Sequence, residues 1–351
     1  MSADDASSDR ARSDRTRDRA RDDLPSVPTA LVDRREAFRR RCLALAVGHG
    51  PVTERYVAER FMTGRDATTD TRHLGTDTPR AQPSTASPDP RRLLLVPGLL
   101  GDAVRALVAP FACSRDALSI DGRDIQVAWV NGRAGCTRNA ARLRTVVLEQ
   151  AAAAGAAIDL VGYSKGCPDA LHMLSDWPDT HAAVRSLTSL GGVVHGTPLA
   201  TEAPRIVSRV LRWLPLPAPM TSFGPGDGRA IADLTPAFRQ RWFDAHALPD
   251  TIRYASIVAS PSRQHISRVL RGSWRALSEV DPLNDSQVIA SDAMLPRGEL
   301  LATVDADHWA LALPIAERSR LLARFVVTRN DFPRRVMLEA LMDHLALPSA
   351  D

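Results

Sequence analysis

Lysine is almost absent from this sequence. Lys165 is the only one among 45 basic residues, and the other basic residues are all arginine. Such a bias is typical of a protein encoded by a GC-rich genome and requires no functional explanation. The basic residues are balanced by 41 acidic ones, giving a net charge of +4, and both signs are mixed along the chain. No nucleic-acid-binding surface is therefore expected.

Cysteines and long apolar runs are also scarce. The four cysteines are Cys42, Cys113, Cys136 and Cys167, and no two form a CxxC pair. We therefore expect neither a disulfide framework nor a zinc site. The sequence has no run of 18 apolar residues and no apolar segment near its N-terminus, so neither a membrane span nor a secretory signal is predicted. These features favour a cytoplasmic protein.

The sequence lacks several motifs of cofactor-binding proteins. Lys165 is followed by Gly166, whereas a phosphate-binding P-loop requires Gly-Lys-Ser/Thr. There is no HExxH zinc motif, and no glycine-rich dinucleotide fingerprint follows a predicted strand. We therefore predict no cofactor and no metal ion.

The first quarter of the chain differs in composition from the rest. Residues 1–28 alternate Asp, Arg and Ser with almost no apolar side chains, so we predict a disordered tail. Residues 29–64 show helical periodicity and are predicted as an N-terminal helical extension. Residues 65–91 are rich in Thr, Pro and Asp and are interpreted as a linker or long loop.

Residues 92–351 alternate short apolar runs with helical segments, the pattern of a mostly parallel sheet flanked by helices. The predicted strands are 93–96, 125–130, 158–161, 187–194, 252–258 and 300–304. Residues 197 to about 250 form an insertion that we interpret as a helical cap or lid. Its main feature is an amphipathic run at 203–217, which could instead be a helix that only closes the core. Two helical segments from about 316 to 347 end the chain.

Residues 162–166, GYSKG, lie between a predicted strand and a helical segment. Gly-x-Ser-x-Gly alone is a weak signal, but strand, sharp turn and helix are the context of a nucleophile elbow. In such a turn Ser164 adopts a strained backbone, and Gly162 and Gly166 avoid collisions with the neighbouring strand and helix. We predict Ser164 as the nucleophile and the amide of Lys165 as an oxyanion donor.

A second oxyanion donor is expected from the loop after the first predicted strand. The sequence there is Pro-Gly-Leu-Leu-Gly, and we predict the amide of Leu99, although an ordinary turn is the alternative. The Lys165 side chain is not expected to stabilise the helix, because a positive charge opposes the macrodipole at a helix N-terminus. We hypothesise that it contacts an acidic neighbour or an anionic group of the substrate.

The base must be one of nine histidines: His49, His73, His172, His181, His195, His246, His265, His308 and His344. In an architecture with the chain order serine, acid, histidine, only the last three lie well beyond the insertion. Of these, only His308 follows an apolar strand and precedes a helical run, and it is the predicted base. His195, at the end of a predicted strand, is interpreted as structural.

The orienting acid should follow the strand before the histidine. Asp285 lies 23 residues before His308 in a turn-forming Asn-Asp pair and is the predicted acid. Asp281 remains an alternative. Asp305 and Asp307 are interpreted as loop and cap residues, because they are too close in sequence to fold back onto His308. Cys167 is expected to pack as a small buried hydrophobic residue.

Taken together, VPGLLGD, LVGYSKG, HGTP, NDSQV and DADHWAL resemble motifs of the α/β-hydrolase superfamily, particularly of bacterial lipases and esterases, over about residues 92–320. The resemblance implies an α/β-hydrolase fold with Ser164, His308 and Asp285 as a triad and the amides of Leu99 and Lys165 as the oxyanion hole. Many such lipases have histidine where Pro97 stands. Some bind structural calcium, but no ligand set is recognisable here.

The expected activity is hydrolysis of a carboxylic ester through an acyl-enzyme. The expected substrate is a small-molecule ester or a lipid ester. If the substrate is a lipid, the protein would contact a lipid surface transiently. A thioesterase, an acyltransferase or a phospholipase on the same triad are alternatives. A non-catalytic hydrolase-like scaffold is the alternative from another class. The oligomeric state is not indicated by the sequence.

Overall fold

The computed structural model describes residues 30–63, 91–99, 101, 109–202, 223–318 and 331–348. The predicted disordered tail, all of the predicted linker except Arg91, and the amphipathic run at 203–217 lie outside the described residues. Among the helices in the described ranges, none is long and apolar enough to cross a membrane.

An eight-stranded sheet forms the centre of the fold. The strands are β1 (Leu31–Asp33), β2 (Phe61–Met62), β3 (Leu93–Val96), β4 (Ile125–Val127), β5 (Ile158–Tyr163), β6 (Val184–Leu190), β7 (Arg253–Ala259) and β8 (Gly298–Val304). Neighbouring strands are parallel and lie in the order β1-β8-β7-β6-β5-β3-β4, while β2 pairs antiparallel with β8. β3 and β5 are buried along their whole length, as expected for a sheet covered on both faces.

Helices pack on both faces of the sheet, and side chains of β3 alternate between two core clusters. One cluster contains Phe38, Phe111 and Leu341, and the other contains Leu143 and Leu171. The helices are α1 (Arg35–Ala46), α2 (Pro51–Arg60), α3 (Ala112–Ile120), α4 (Cys136–Ala154), α5 (Gly166–Asp176), α6 (Pro198–Glu202), α7 (Pro236–Ala245), α8 (Arg271–Ser278), α9 (His308–Ala312), α10 (Ile315–Arg318) and α11 (Arg334–Ala346). Short 3-10 helices lie at Val47–His49, Pro178–Ala183, Ala232–Leu234, Arg263–His265, Arg268–Leu270 and Ser291–Ala293.

The N-terminal segment contains two helices, as its periodicity indicates, but it also contributes β1 and β2 to the sheet. Both strands pair with β8. The Tyr56 hydroxyl donates to the carbonyl of Asp305 (3.0 Å), and the N–H of Asp305 donates to the carbonyl of Arg60 (2.9 Å). The sheet therefore includes two strands that precede the predicted domain boundary at residue 92. Strands of two and three residues are too short to give a periodic signal, so the sequence pattern did not predict them.

The described part of the predicted insertion is joined to the body of the protein. Asp227 and Asp233 accept hydrogen bonds from the N–H groups of Gly135 (2.9 Å) and Cys136 (2.8 Å) at the start of α4. These carboxylates satisfy donors that would otherwise be unpaired at the helix N-terminus. Residues 227–233 are therefore anchored to α4.

The carboxyl ends of the parallel strands meet at one edge of the sheet. Gly98, Ser164, Gly191 and His308 follow β3, β5, β6 and β8, respectively. This edge is where proteins with parallel sheets usually bind ligands. The topology thus brings residues from distant parts of the chain to one region.

Candidate active site

Ser164 occupies a strained turn between β5 and α5. Its φ angle of 54° lies in the left-handed region, which is uncommon for a residue with a side chain. Its N–H donates to the carbonyl of Leu190 (3.3 Å), and its carbonyl accepts the N–H of Val193 (3.1 Å). The backbone after β6 therefore holds the serine in this conformation.

The two glycines of the GYSKG turn lie at close contacts. A Cβ added to Gly162 would be 2.4 Å from the Cα of Cys167, and one added to Gly166 would be 2.1 Å from the carbonyl oxygen of Val96. Both neighbours are backbone atoms that cannot move aside easily. A side chain at either position would push α5 away from the sheet.

His308 and Asp285 are joined by two hydrogen bonds. The His308 Nδ1 lies 2.6 Å from the Asp285 Oδ2, and the backbone N–H of His308 donates to the Asp285 carbonyl (2.8 Å). The Oδ1 of Asp285 accepts the N–H groups of Gln287 (2.9 Å) and Val288 (2.8 Å). Both His308 and Asp285 are buried. A carboxylate on Nδ1 fixes the ring and leaves Nε2 to accept a proton.

Tyr163 connects the serine turn to His308. Its hydroxyl donates to the carbonyl of His308 (2.9 Å), and the two rings stack with their centroids 5.0 Å apart. Burial raises the pKa of this hydroxyl well above its ordinary value, so it remains a donor. Ser164 is the next residue along the chain. Nothing in the sequence pattern singled out Tyr163.

Gly191 lies between the serine turn and the acid. A Cβ at this position would be 3.2 Å from the Asp285 Oδ2 and 3.6 Å from the His308 Nδ1. Gly191 directly follows Leu190, whose carbonyl accepts the Ser164 N–H. The ends of β5 and β6 therefore bring the backbone of Ser164 close to the hydrogen-bonded acid and histidine.

The loop after β3 passes directly beside Ser164. A Cβ added to Gly98 would be 2.6 Å from the Ser164 Cβ and 3.0 Å from its Oγ. Leu99 is the next residue, in a turn where the N–H of Gly101 donates to the carbonyl of Gly98 (3.0 Å). Gly98 and Ser164 therefore lie side by side. Leu99 and Lys165, whose amides are the predicted oxyanion donors, directly follow these two residues in the chain.

The side chain of Lys165 is directed into the protein. Its Nζ lies 2.6 Å from the Asp169 Oδ1, and the Asn139 side chain donates to the Oδ2 of Asp169 (2.8 Å). Both charged side chains are 1% exposed. Burial acts to lower the pKa of Lys165, but the attraction of Asp169 outweighs it and the pKa is raised, so the amine stays charged. Of the two hypothesised partners, the structure shows the acidic neighbour.

A metagenomic carboxyl esterase of known structure is 32% identical to this chain, with a TM-score of 0.75, and the match covers 93% of this chain and 97% of the esterase. This chain belongs to the α/β-hydrolase superfamily. The mature lipase of Bacillus licheniformis is 18% identical to this chain, with a TM-score of 0.54, and shares the fold. The match covers 74% of this chain and 94% of the lipase. No protein-family model and no curated protein matches the sequence.

In this α/β-hydrolase the other acidic candidates have local partners. Asp281 accepts the N–H of Leu283 (2.8 Å). Asp307 caps α9 by accepting the N–H of Ala310 (2.9 Å), and its other oxygen accepts the N–H of Ser267 (2.7 Å). These contacts hold the loops on either side of His308 in place.

A second serine, histidine and aspartate meet nearby. The Ser262 Oγ and the Asp305 Oδ2 both lie 2.8 Å from the His265 Nδ1. Activation of a serine requires the serine and the acid to lie on opposite ring nitrogens, whereas here they share one. We interpret this cluster as a tie between the segment after β7 and the loop before His308. This pairing is not evident from the sequence.

Two further residues singled out in the sequence, His195 and Cys167, make packing contacts. His195 packs on Phe243 with the ring centroids 4.9 Å apart, and burial lowers its pKa. Cys167 is fully buried, and burial raises the pKa of its thiol to about 12, so it remains protonated. The described part of the chain contains no group of three or more His, Cys, Asp or Glu residues placed to hold a metal ion.

Proposed function

We propose that this protein hydrolyses carboxylic esters through an acyl-enzyme formed on Ser164, with His308 as the base and Asp285 as the orienting acid. The main support is the buried 2.6 Å contact between the His308 Nδ1 and Asp285, close to a serine with a left-handed backbone. The similarity to a carboxyl esterase over nearly the whole chain supports ester hydrolysis as the reaction class.

In the proposed first step, the His308 Nε2 takes the proton of Ser164 as its Oγ attacks the ester carbonyl carbon. Asp285 stabilises the resulting imidazolium and keeps the ring oriented. The amides of Leu99 and Lys165 donate to the oxygen that becomes negative. The tetrahedral intermediate then collapses, and the imidazolium gives its proton to the leaving alcohol.

The second half-reaction would use the same groups. The His308 Nε2 takes a proton from a water molecule, whose oxygen attacks the acyl carbon bound to Ser164. A second tetrahedral intermediate forms in the same oxyanion hole. Its collapse releases the carboxylic acid and returns the proton to the Ser164 Oγ.

The test is hydrolysis of p-nitrophenyl esters from acetate to palmitate. Ser164→Ala should lower kcat by at least about 10⁴-fold, because the attacking group is removed. Ser262→Ala is the matched control, since it removes a hydroxyl next to a histidine and an aspartate at the same sheet edge. We expect it to retain activity. Loss with Ser262→Ala and retention with Ser164→Ala would overturn the assignment.

Two further matched pairs test the base and the acid. Asp285→Asn and His308→Gln should each lower kcat by about 10³- to 10⁴-fold, whereas Asp305→Asn and His265→Gln should stay within about tenfold of the wild type. Circular dichroism checks that every variant is folded. Equal losses in the two sets would show that His308 and Asp285 act through stability and not in the reaction.

The chain-length profile and two other substrates refine the class. Activity that rises toward palmitate supports a lipid ester, and activity limited to acetate and butyrate supports a small ester. The same triad would serve thioesters or phospholipids, so an acyl-CoA and a phosphatidylcholine are assayed in parallel. Wild-type protein that cleaves none of these and does not react with a fluorophosphonate would refute the proposal and favour a scaffold.

A further inference from the structure

A basic pocket lies in the segment between β7 and Asp285. Its volume is about 380 Å³, and it is formed by the 3-10 helix Arg263–His265, Ile266 and α8. The lining side chains are Arg263, Gln264, Ile266, Arg271, Trp274 and Arg275. Neither the triad nor the proposed oxyanion hole uses any of these residues.

The three arginines of this pocket are exposed side chains. The guanidinium groups of Arg263, Arg271 and Arg275 make no ion pair or hydrogen bond with any residue in the described ranges. Arg271 and Arg275 lie one turn apart on α8, where like charges repel. In a chain with nearly equal numbers of acidic and basic residues, this cluster is an uncompensated positive charge.

Two acidic residues near this segment are engaged elsewhere. Asp305 accepts hydrogen bonds from Ser262 and His265, and Asp307 accepts backbone N–H groups. Glu279 is exposed, follows Arg275 by one turn and forms no ion pair with it. No carboxylate in the described part of the chain is therefore bonded to the three arginines.

Trp274 and Gln264 also line the pocket. The Trp274 Nε1 is buried and has no hydrogen-bond partner among the described residues. Because this atom is buried, the indole ring and not its N–H forms the pocket wall. Three arginines and an amide thus border the pocket, and its lining residues include no carboxylate.

We propose that this pocket binds a terminal phosphate group, carried either by a soluble phosphate monoester or by the headgroup of a phosphatidic acid. A phosphate monoester has three terminal oxygens and up to two negative charges, which match several arginines. A carboxylate has two oxygens and is satisfied by one bidentate arginine. The proposal does not depend on Ser164 being a nucleophile.

The position of the pocket links it to the candidate active site. The N–H of Ser267, the residue after Ile266, donates to Asp307 (2.7 Å), and Asp307 precedes His308. The side chain of Asp305, three residues before His308, lies 2.8 Å from the His265 Nδ1. A phosphate group in the pocket would therefore lie at the sheet edge where the proposed reaction occurs.

Binding is measured on full-length Ser164→Ala protein, so that hydrolysis does not interfere and the outcome is independent of the esterase proposal. Calorimetry with inorganic phosphate and glycerol 3-phosphate tests a soluble ligand. Sedimentation with phosphatidylcholine vesicles, with and without one-third phosphatidic acid, tests a headgroup. Saturable binding to either source supports the site and identifies which source carries the phosphate.

The decisive comparison is between two pairs of arginines. Arg271→Gln/Arg275→Gln should weaken binding at least about tenfold. Arg55→Gln/Arg142→Gln removes the same charge from exposed positions on α2 and α4 and should change binding less than about twofold. Equal weakening by both pairs would mean general electrostatic attraction and would overturn the proposal, as would the absence of saturable binding to both sources.

Gln264→Leu provides a test that net charge cannot explain. It removes the side-chain amide that borders the pocket but keeps the charge of the pocket. We expect severalfold weaker phosphate binding with unchanged circular dichroism. Unchanged binding in this variant, together with equal effects of the two arginine pairs, would contradict the pocket as the site.

Discussion

The ion pair between Lys165 and Asp169 lies immediately after the serine turn, and it gives a sharp prediction. Both side chains are 1% exposed, and the amine and carboxylate are 2.6 Å apart. In Lys165→Met the buried Asp169 carboxylate would lose its cation and keep a hydrogen bond from the neutral side-chain amide of Asn139. An unpaired buried charge is far more costly than a surface one.

The expected magnitude follows from the burial. Breaking a buried pair by removing one partner costs about 3–5 kcal/mol in the free energy of unfolding. Lys165→Met and Asp169→Asn should each show a loss of this size at neutral pH. The double variant leaves no unpaired charge, so its loss should fall short of the sum of the single losses by at least about 2 kcal/mol.

Urea unfolding followed by circular dichroism measures these differences. The control is Arg40→Met, which breaks an ion pair with Glu36 at the same helical spacing but with side chains 72% and 50% exposed, and it should cost about 0.5 kcal/mol or less. A loss below about 1 kcal/mol for Lys165→Met would refute the reasoning. The ratio of activities on neutral and anionic esters should not change in this variant, because the amine does not face solvent.

Two other predictions concern pH and packing. Burial and the charge of Arg239 lower the pKa of His172 to about 2, so below its ordinary value of 6.5 only the unfolded chain takes up a proton. The free energy of unfolding should therefore fall by up to about 1.4 kcal/mol per pH unit from pH 6.5 downwards. Urea unfolding of His172→Gln should show a smaller change of this free energy with pH. An unchanged pH dependence in the variant would exclude His172 as the cause of the fall. Gly98→Ala places a Cβ 2.6 Å from the Ser164 Cβ. This change should lower kcat about 100-fold in a folded protein, measured with p-nitrophenyl butyrate, and wild-type kcat would show that the loop can move away.

The central strands were accessible from the sequence because they are buried on both faces. β3 matches its predicted bounds, and β5 extends two residues beyond its predicted end, into the glycine and tyrosine before Ser164. Continuous apolar runs identify such strands without any knowledge of their neighbours.

The start of β6 was not accessible in the same way. The prediction began at residue 187 and ended at 194, whereas the strand is Val184–Leu190. Its first half contains Arg185 and Ser186, whose polar groups are paired with Asp159 of β5, so the strand is buried without being apolar. Its end is set by Gly191, where a positive φ turns the chain out of the sheet. Neither cause is visible in the hydropathy pattern.

The candidate site shows the same division. Chain order and strand context predicted His308 and Asp285, and the structure places these two in contact. Tyr163 and the Ser262, His265 and Asp305 cluster were missed, because their contacts join segments far apart in sequence. The basic pocket was also missed, since its arginines are ordinary in a chain so rich in arginine.

The pairing of β1 and β2 with β8 has a consequence for the order of folding. These strands join residues 31–33 and 61–62 to residues 298–304, so the chain must close loops of more than 200 residues to form them. Contacts between such distant residues slow folding. The backbone before His308 is also bonded to Arg60 and Tyr56, so these contacts of α2 cannot form until β8 has been synthesised. The loop that carries His308 should consequently become rigid late in folding.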